Sequence, residues 1–111
     1  MTPRLPTHVE VSGLLRAVAA EGGFGTVLAK GEKDAGALLV VCVAGSEPAR
    51  LFERMPQMDG SRSFVLTRTQ SAENKGKFED YLRRRRLQDE DAWIVELDIA
   101  EAERFIETAG T

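Results

Sequence analysis

Residues 37–44, with the sequence ALLVVCVA, are apolar at every position and constrain the fold of this chain more than any other segment. Successive side chains of a β-strand point to opposite faces of a sheet, so a strand of this composition needs apolar cover on both faces. The surrounding apolar run, Ala35 to Ala44, is far shorter than the roughly 20 residues that a membrane-spanning helix requires. The segment therefore predicts a central strand in a sheet that is covered on both sides.

Two amphipathic helices are predicted around the strand segments. The first runs from about His8 to Glu21, and Thr7 and Glu10 have the spacing of a capping box at its start. Its apolar stripe has helical spacing and consists of Val11, Leu14, Leu15 and Val18. The second helix runs from about Ala72 to Leu87, with Ser71 as its candidate N-cap.

Five strands are predicted from β-rich composition and from period-2 alternation. They cover Phe24 to Lys30, Ala37 to Ala44, Arg50 to Arg54, Ser63 to Thr69 and a half-buried segment that begins at Trp93. A short C-terminal helix carries Phe105 and Ile106. The order α-β-β-β-β-α-β-α predicts a single α+β domain over residues 1–111, with a mostly antiparallel sheet of about five strands and two main helices. The residues expected to meet in its core are Leu14, Val18, Leu39, Val41, Leu66, Phe78, Leu82 and Trp93.

The composition limits the chemistry that is open to the chain. Of its 111 residues, 42% are hydrophobic and 30% are charged, which is typical of a globular domain. The formal net charge is −3, whereas a general nucleic-acid binder usually carries a basic excess. The single cysteine, Cys42, excludes an intramolecular disulfide. The N-terminus has no apolar segment of signal-peptide length, so we expect a cytoplasmic protein without a membrane partner.

Four consecutive arginines, Arg83, Arg84, Arg85 and Arg86, give the strongest local charge signal. Guanidinium groups bind phosphates well, so these residues are candidates for a binding site. Cations in the last turn of a helix also face the negative end of its macrodipole. Consecutive helical residues fan out over a full turn, and acidic residues follow at once at 89–91. The run therefore favours a helix end over a flat phosphate-binding patch.

Other polar side chains give weaker signals. Asp89, Asp91, Glu96 and Asp98 offer oxygen ligands, but they lack the spacing of a calcium loop, so a solvated strand face is favoured and no metal site is predicted. Asp34 lies in a polar loop between two strands and is a further candidate binding residue, because functional residues concentrate on loops. The sequence contains no P-loop, dinucleotide fingerprint or nucleophile elbow, so neither a cofactor nor a catalytic residue is predicted.

Several segments together carry a likeness to a known family. They are residues 11–16 (VSGLLR), the 30–37 hairpin, Tyr81-Leu82, residues 89–96 and Arg104-Phe105. With these segments the chain resembles DUF1491, a family of short bacterial proteins of unknown function, over nearly its whole length. Where the family tends to have a proline between the two turn aspartates, this chain has Glu90. The resemblance implies membership of the family and no activity, cofactor or catalytic residue.

Three functional hypotheses follow from the sequence. The favoured one is a non-catalytic accessory or interaction domain that binds a protein partner of unknown identity or a second copy of itself. The alternative is nucleic-acid binding through Arg83 to Arg86. A metal-dependent nuclease is less favoured: the element order is that of restriction-like nuclease cores, but the strand after Asp34 reads Val40-Val41-Cys42-Val43 and has no E-x-K motif. The sequence therefore favours binding over enzymatic activity.

Overall fold

The computed structural model of the protein describes residues 5–56, 58 and 62–106. In chain order the elements are α1 (Thr7–Ala20), β1 (Phe24–Ala29), β2 (Leu38–Val43), β3 (Arg50–Pro56), β4 (Arg62–Thr69), α2 (Lys75–Gln88), β5 (Trp93–Asp98) and a 3₁₀ helix (Ala102–Phe105). The predicted α+β class and element order are confirmed, with a 3₁₀ helix as the last element. Within the described ranges, no helix has both the length and the apolar character needed to cross a bilayer.

The strands form one sheet in the order β1-β5-β2-β3-β4. β2 pairs with β5 in parallel, with Leu38 opposite Trp93, and the other neighbouring pairs are antiparallel. A parallel pair needs a long connection, which β3, β4 and α2 provide here. β2 is central and covered on both faces, as predicted. β5 is more completely buried than its sequence pattern indicated, because it lies beside β2 and Ile94 packs into the second face as well.

The sheet separates two hydrophobic clusters. On the face covered by α1, the buried residues are Val11, Val18, Leu38, Val40, Cys42, Phe52, Phe64, Trp93, Val95, Leu97 and Ala102. On the face covered by α2, they are Ala29, Leu39, Val41, Ala49, Leu51, Phe78, Ala92 and Ile94. The expectation of one shared core was therefore wrong, because alternate side chains of a strand pack on opposite faces. Leu66, which was expected in the core, is 48% exposed on the edge strand β4.

The start of α1 is held by a distant loop and not by the predicted capping box. Its N-cap residue makes no side-chain hydrogen bond. The backbone N–H groups of Thr7 and His8 donate to the carbonyl oxygens of Asp34 and Lys33, at 3.2 and 2.8 Å. The Glu10 carboxylate accepts hydrogen bonds from an arginine of β3 instead of from the helix start. The capping-box prediction was wrong because loop carbonyls satisfy the free N–H groups of the helix.

The loop between β1 and β2 packs closely against the turn before β5. A Cβ atom on Gly31 or Gly36 would lie 2.1 or 2.2 Å from the carbonyl oxygen of Asp91. The Glu32 N–H donates to that same oxygen at 2.9 Å, and Trp93 Nε1 donates to the Glu32 carbonyl at 2.7 Å. Only glycine allows two backbones to approach this closely. The 30–37 hairpin and residues 89–96, which carry part of the family resemblance, therefore serve the packing of the fold.

The start of α2 lies later than the sequence indicated. Ser71 and Asn74 close a turn between them, because Ser71 Oγ accepts the Asn74 N–H at 3.2 Å and Asn74 Oδ1 accepts the Ser71 N–H. The helix begins at Lys75, after this turn, and not at the predicted Ala72. Gly76 falls in its first turn, where a glycine weakens a helix by roughly 1 kcal/mol relative to alanine.

We predict that Gly36→Ala lowers the free energy of unfolding by about 1–3 kcal/mol, the usual cost of forcing extra atoms into a packed site. The new Cβ atom meets the Asp91 carbonyl, which the Glu32 N–H already holds in place. Urea denaturation measures this free energy. Gly13→Ala is the control: no described atom lies within 4 Å of its Cβ position, so it should be neutral or stabilising. Equal stability of the two variants would contradict the packing role of Gly36.

Candidate functional site

A cleft of about 620 Å³ lies between α2 and the end of β4, and we call it the α2–β4 cleft. The described residues that line it are Arg68, Thr69, Asn74, Lys77, Phe78, Asp80, Tyr81, Arg83, Arg84 and Leu87. The helix residues in this set recur three or four positions apart, so they share one side of α2. The volume falls within the range of about 300–1,000 Å³ that is typical of ligand pockets.

The α2–β4 cleft concentrates positive charge. Among its described lining residues, Arg68, Lys77, Arg83 and Arg84 are cationic. The one carboxylate in the same lining, Asp80, is ion-paired with Arg83. The chain as a whole has a formal net charge of −3, so this surface is locally opposite to the protein's overall charge. A concave surface with one dominant sign of charge attracts ions of the other sign.

The four consecutive arginines of α2 point in different directions. Arg83 and Arg84 line the cleft. Arg85 turns inward, and its Nε donates to the carboxylate of Glu53 at 3.2 Å. Arg86 is exposed and lies outside the described lining. Helical geometry thus divides the candidate binding residues into two that face the cleft, one that faces the sheet and one that faces solvent.

A buried carboxylate behind the cleft ties α2 to the sheet. Glu53 of β3 is 5% exposed. Its Oε2 accepts hydrogen bonds from Thr67 Oγ1 and from the Tyr81 hydroxyl, both at 2.6 Å, and its Oε1 accepts the bond from Arg85. Buried carboxylates are tolerated when they are paired and hydrogen-bonded in this way. The donors come from β4 and α2, so this Glu53 network joins the two elements that form the cleft.

Tyr81 belongs both to the cleft and to the Glu53 network. Burial raises the pKa of Tyr81, and so do its hydrogen bond to Glu53 and the negative charge there, while Arg85 and Arg68 act in the opposite direction. The guanidinium carbon of Arg68 lies 4.3 Å from the ring centroid, which is a cation–π contact. At neutral pH Tyr81 is therefore a protonated hydrogen-bond donor, and Arg68 covers one face of its ring.

Asp34, the remaining candidate binding residue, lies outside the described lining of the cleft. Its carbonyl oxygen accepts the Thr7 N–H, and its own N–H donates to Glu32 Oε2 at 2.8 Å. These are backbone contacts that shape the loop and hold the start of α1. The structure therefore does not bring Asp34 together with Arg83 and Arg84.

The described part of the chain contains no group of three or more His, Cys, Asp and Glu side chains that could hold a metal ion. Of the acidic candidates, Asp89 accepts the Asp91 N–H at 3.1 Å and closes the turn, while Glu96 and Asp98 lie on β5. Burial raises the pKa of Cys42 to about 12, so its thiol stays protonated at neutral pH. A protonated, buried thiol is not a nucleophile.

A second groove, of about 400 Å³, runs along α1 and the 3₁₀ helix. Within it, Arg54 and Glu10 neutralise each other through two hydrogen bonds, at 2.6 and 3.2 Å. Apolar residues make up most of the rest of its described lining. It therefore lacks the concentration of like charge that distinguishes the α2–β4 cleft.

Sequence reasoning found part of the site and missed another part. It selected the arginine run, but it did not select Arg68, Glu53 or Thr67. These residues lie on β3 and β4 and meet α2 only because of strand pairing, which places Glu53 opposite Val65. The available signal was Glu53 itself, a carboxylate two residues after Leu51 and therefore on the same inward face of the strand.

Comparisons with known proteins identify relatives of the chain but no activity. The model of the family described as "Protein of unknown function (DUF1491)" matches residues 5–107. The crystal structure of a DUF1491 family protein from Caulobacter crescentus is 31% identical with a TM-score of 0.83, and the match covers 95% of this chain and 98% of that chain. The solution structure of Atu0922 from A. tumefaciens is 29% identical with a TM-score of 0.79, and the match covers 98% of each chain. None of the curated proteins matches the chain.

We predict that Tyr81, the single tyrosine of the chain, ionises at a higher pH in the folded protein than the usual value of about 10. Because its pKa is raised on folding, its contribution to stability is fully present below about pH 10 and is lost as the pH rises through the folded pKa. A spectrophotometric titration of tyrosinate absorbance measures this pKa without interference from a second tyrosine.

The matched variants for this titration are Glu53→Gln and Asp80→Asn. Glu53→Gln removes the negative charge that faces the hydroxyl, so the Tyr81 pKa should fall toward its usual value. Asp80→Asn removes a carboxylate that is paired with Arg83, and it should leave the Tyr81 pKa almost unchanged. An unchanged pKa in Glu53→Gln would contradict the role assigned to the Glu53 network.

Proposed function

We propose that this chain, which belongs to the DUF1491 family, is a non-catalytic binding domain that holds an anionic partner in the α2–β4 cleft. The observation that carries the proposal is the convergence of Arg68, Lys77, Arg83 and Arg84 on one concave surface. Arginine presents several donors in a fixed fork, and it suits carboxylate and phosphate oxygens equally. The charge of this surface supports a binding site for such groups.

The titratable groups near the cleft support binding over catalysis. Glu53 is enclosed by three donors and does not belong to the described lining. The Tyr81 hydroxyl, whose pKa is raised above its usual value of about 10, is protonated at neutral pH. A general base or a nucleophile needs a basic lone pair that is free to reach the substrate. Glu53 is enclosed, the Tyr81 hydroxyl is protonated, and Asp80, the carboxylate in the described lining, is ion-paired with Arg83. These contacts favour the interaction domain over the nuclease-like enzyme.

We expect the protein to bind labelled polyanions, such as polyglutamate or oligothymidylate, with an affinity that falls as salt is added. Arg84→Gln should weaken the binding by about tenfold to a hundredfold, because a hydrogen bond to a charged group is worth about 1.5–3 kcal/mol and 1.4 kcal/mol corresponds to a factor of ten. Fluorescence anisotropy titrations measure the affinity.

Arg86→Gln is the matched control for Arg84→Gln. It makes the same change of net charge, on the same helix, at an exposed residue outside the described cleft lining. It should bind like the parent protein. Equal weakening by both variants would mean that the affinity follows overall charge and not the cleft. Failure of every polyanion to bind at low salt would overturn the proposal.

A second candidate function is self-association through the edge strand β1. Phe24 is 73% exposed, and Val27 and Leu28 of the same strand are also exposed. β1 has the sequence FGTVLA and carries no charged side chain, although charges are a usual protection of an edge strand against pairing. These features favour a second copy of the chain as the partner of this edge.

We expect a concentration-dependent dimer that Leu28→Lys disrupts, because a charge on β1 opposes strand pairing. Leu66→Lys is the matched control, since Leu66 is equally exposed but lies on β4, at the opposite edge of the sheet. Size-exclusion chromatography with light scattering measures the mass in solution. A parent protein that stays monomeric at all concentrations would exclude this second function.

A further inference from the structure

We infer that the anionic partner is a short acidic segment of another protein that carries an apolar anchor side chain. This inference rests on the proposed binding function of the α2–β4 cleft and narrows its partner to one class. A cleft of about 620 Å³ has room for a few side chains and not for a folded domain. The partner therefore enters as a segment and not as a whole surface.

An exposed apolar side chain lies among the cations of the cleft. Leu87 is 79% exposed, in the last turn of α2. It follows Arg83 by four residues and Arg84 by three, so that all three share one side of the helix. Phe78 and Tyr81 extend the apolar surface inward from this point. A partner that offers carboxylates alone would leave Leu87 in water, whereas an apolar side chain would cover it.

The length of the cleft sets the size of the segment. Lys77 and Leu87 mark the two ends of its lining on α2. Ten helical residues of about 1.5 Å each separate them by about 15 Å. An extended chain rises about 3.3 Å per residue, so four or five residues span this distance. Cations occur over most of this length, from Lys77 to Arg84, and the carboxylate between them, Asp80, is already paired with Arg83, which suits a segment with several carboxylates.

Single-stranded nucleic acid fits the same lining less well. Its bases stack on open aromatic faces, which supply much of the binding energy. The aromatic residues in the described lining are Phe78 and Tyr81. Phe78 is buried, and Tyr81 has one ring face against Arg68 and its hydroxyl bonded to Glu53. Phe78 therefore offers no platform to a base, and Arg68 occupies one of the two faces of the Tyr81 ring, so charge and apolar contact together favour a peptide.

The test compares three labelled probes of equal charge by fluorescence anisotropy. They are a peptide of alternating glutamate and leucine, the same peptide with serine in place of leucine, and oligothymidylate. The proteins are the parent, Leu87→Ser, Arg84→Gln and the control Arg86→Gln. Because Leu87 is exposed, its replacement leaves the fold intact. We expect the glutamate–leucine peptide to bind most tightly, and to lose at least about tenfold in affinity on Leu87→Ser and on Arg84→Gln but not on Arg86→Gln.

The other outcomes separate the two proposals. Tighter binding of oligothymidylate, sensitive to Arg84→Gln and insensitive to Leu87→Ser, would overturn the acidic-segment inference and leave the anion-binding function intact. Equal affinity for the leucine and serine peptides would overturn the apolar anchor. If none of the probes shows binding that depends on Arg84, both the inference and the proposed function fail.

Discussion

The position of α2 on the sheet depends on the carboxylate of Glu53. Within α2, which the structure describes in full, Phe78 is the one buried side chain, and Tyr81 and Leu82 are partly buried beside it, so apolar packing alone fixes the rotation of the helix at few points. A buried ion pair adds little net stability, because the desolvation of both groups offsets their attraction. The buried carboxylate nevertheless requires that its hydrogen-bond donors lie in fixed positions around it. Tyr81 and Arg85 must face Glu53, and this orientation turns Arg83 and Arg84 into the cleft.

The two faces of the sheet therefore differ in what holds their helices. On the α1 face, a continuous apolar cluster includes Val18 and Trp93, and hydrogen bonds from a loop fix the start of the helix. On the α2 face, a smaller apolar cluster is supplemented by the polar Glu53 network. The basic cleft occurs on this second side. A site bordered by a polar helix can present many charges to solvent without burying any of them unpaired.

Whether a feature could be predicted from the sequence depends on how far apart in the chain its interacting residues lie. The central place of β2 could be predicted, because its apolar composition is a local property of the strand. The divergence of the four arginines could also be predicted, because the helical repeat decides it. The contact between Arg68 and Tyr81 could not be predicted, because it depends on how β4 pairs with β3. The register of that pairing is irregular between Leu51 and Phe52. The cap of α1 comes from carbonyls about 25 residues away, beyond any local pattern.

The strand order has a consequence for how the protein is made. β1 and β2 follow each other in the chain, yet β5 lies between them, so their facing edges stay open until the last strand inserts. On the ribosome, the central pairing of Leu38 with Trp93 must wait until synthesis has passed Trp93, more than 50 residues after β2 began. Pairings of such long sequence separation form slowly, and open apolar edges invite association with other chains in the meantime. The nascent chain is therefore most vulnerable to aggregation just before β5 (Trp93–Asp98) emerges.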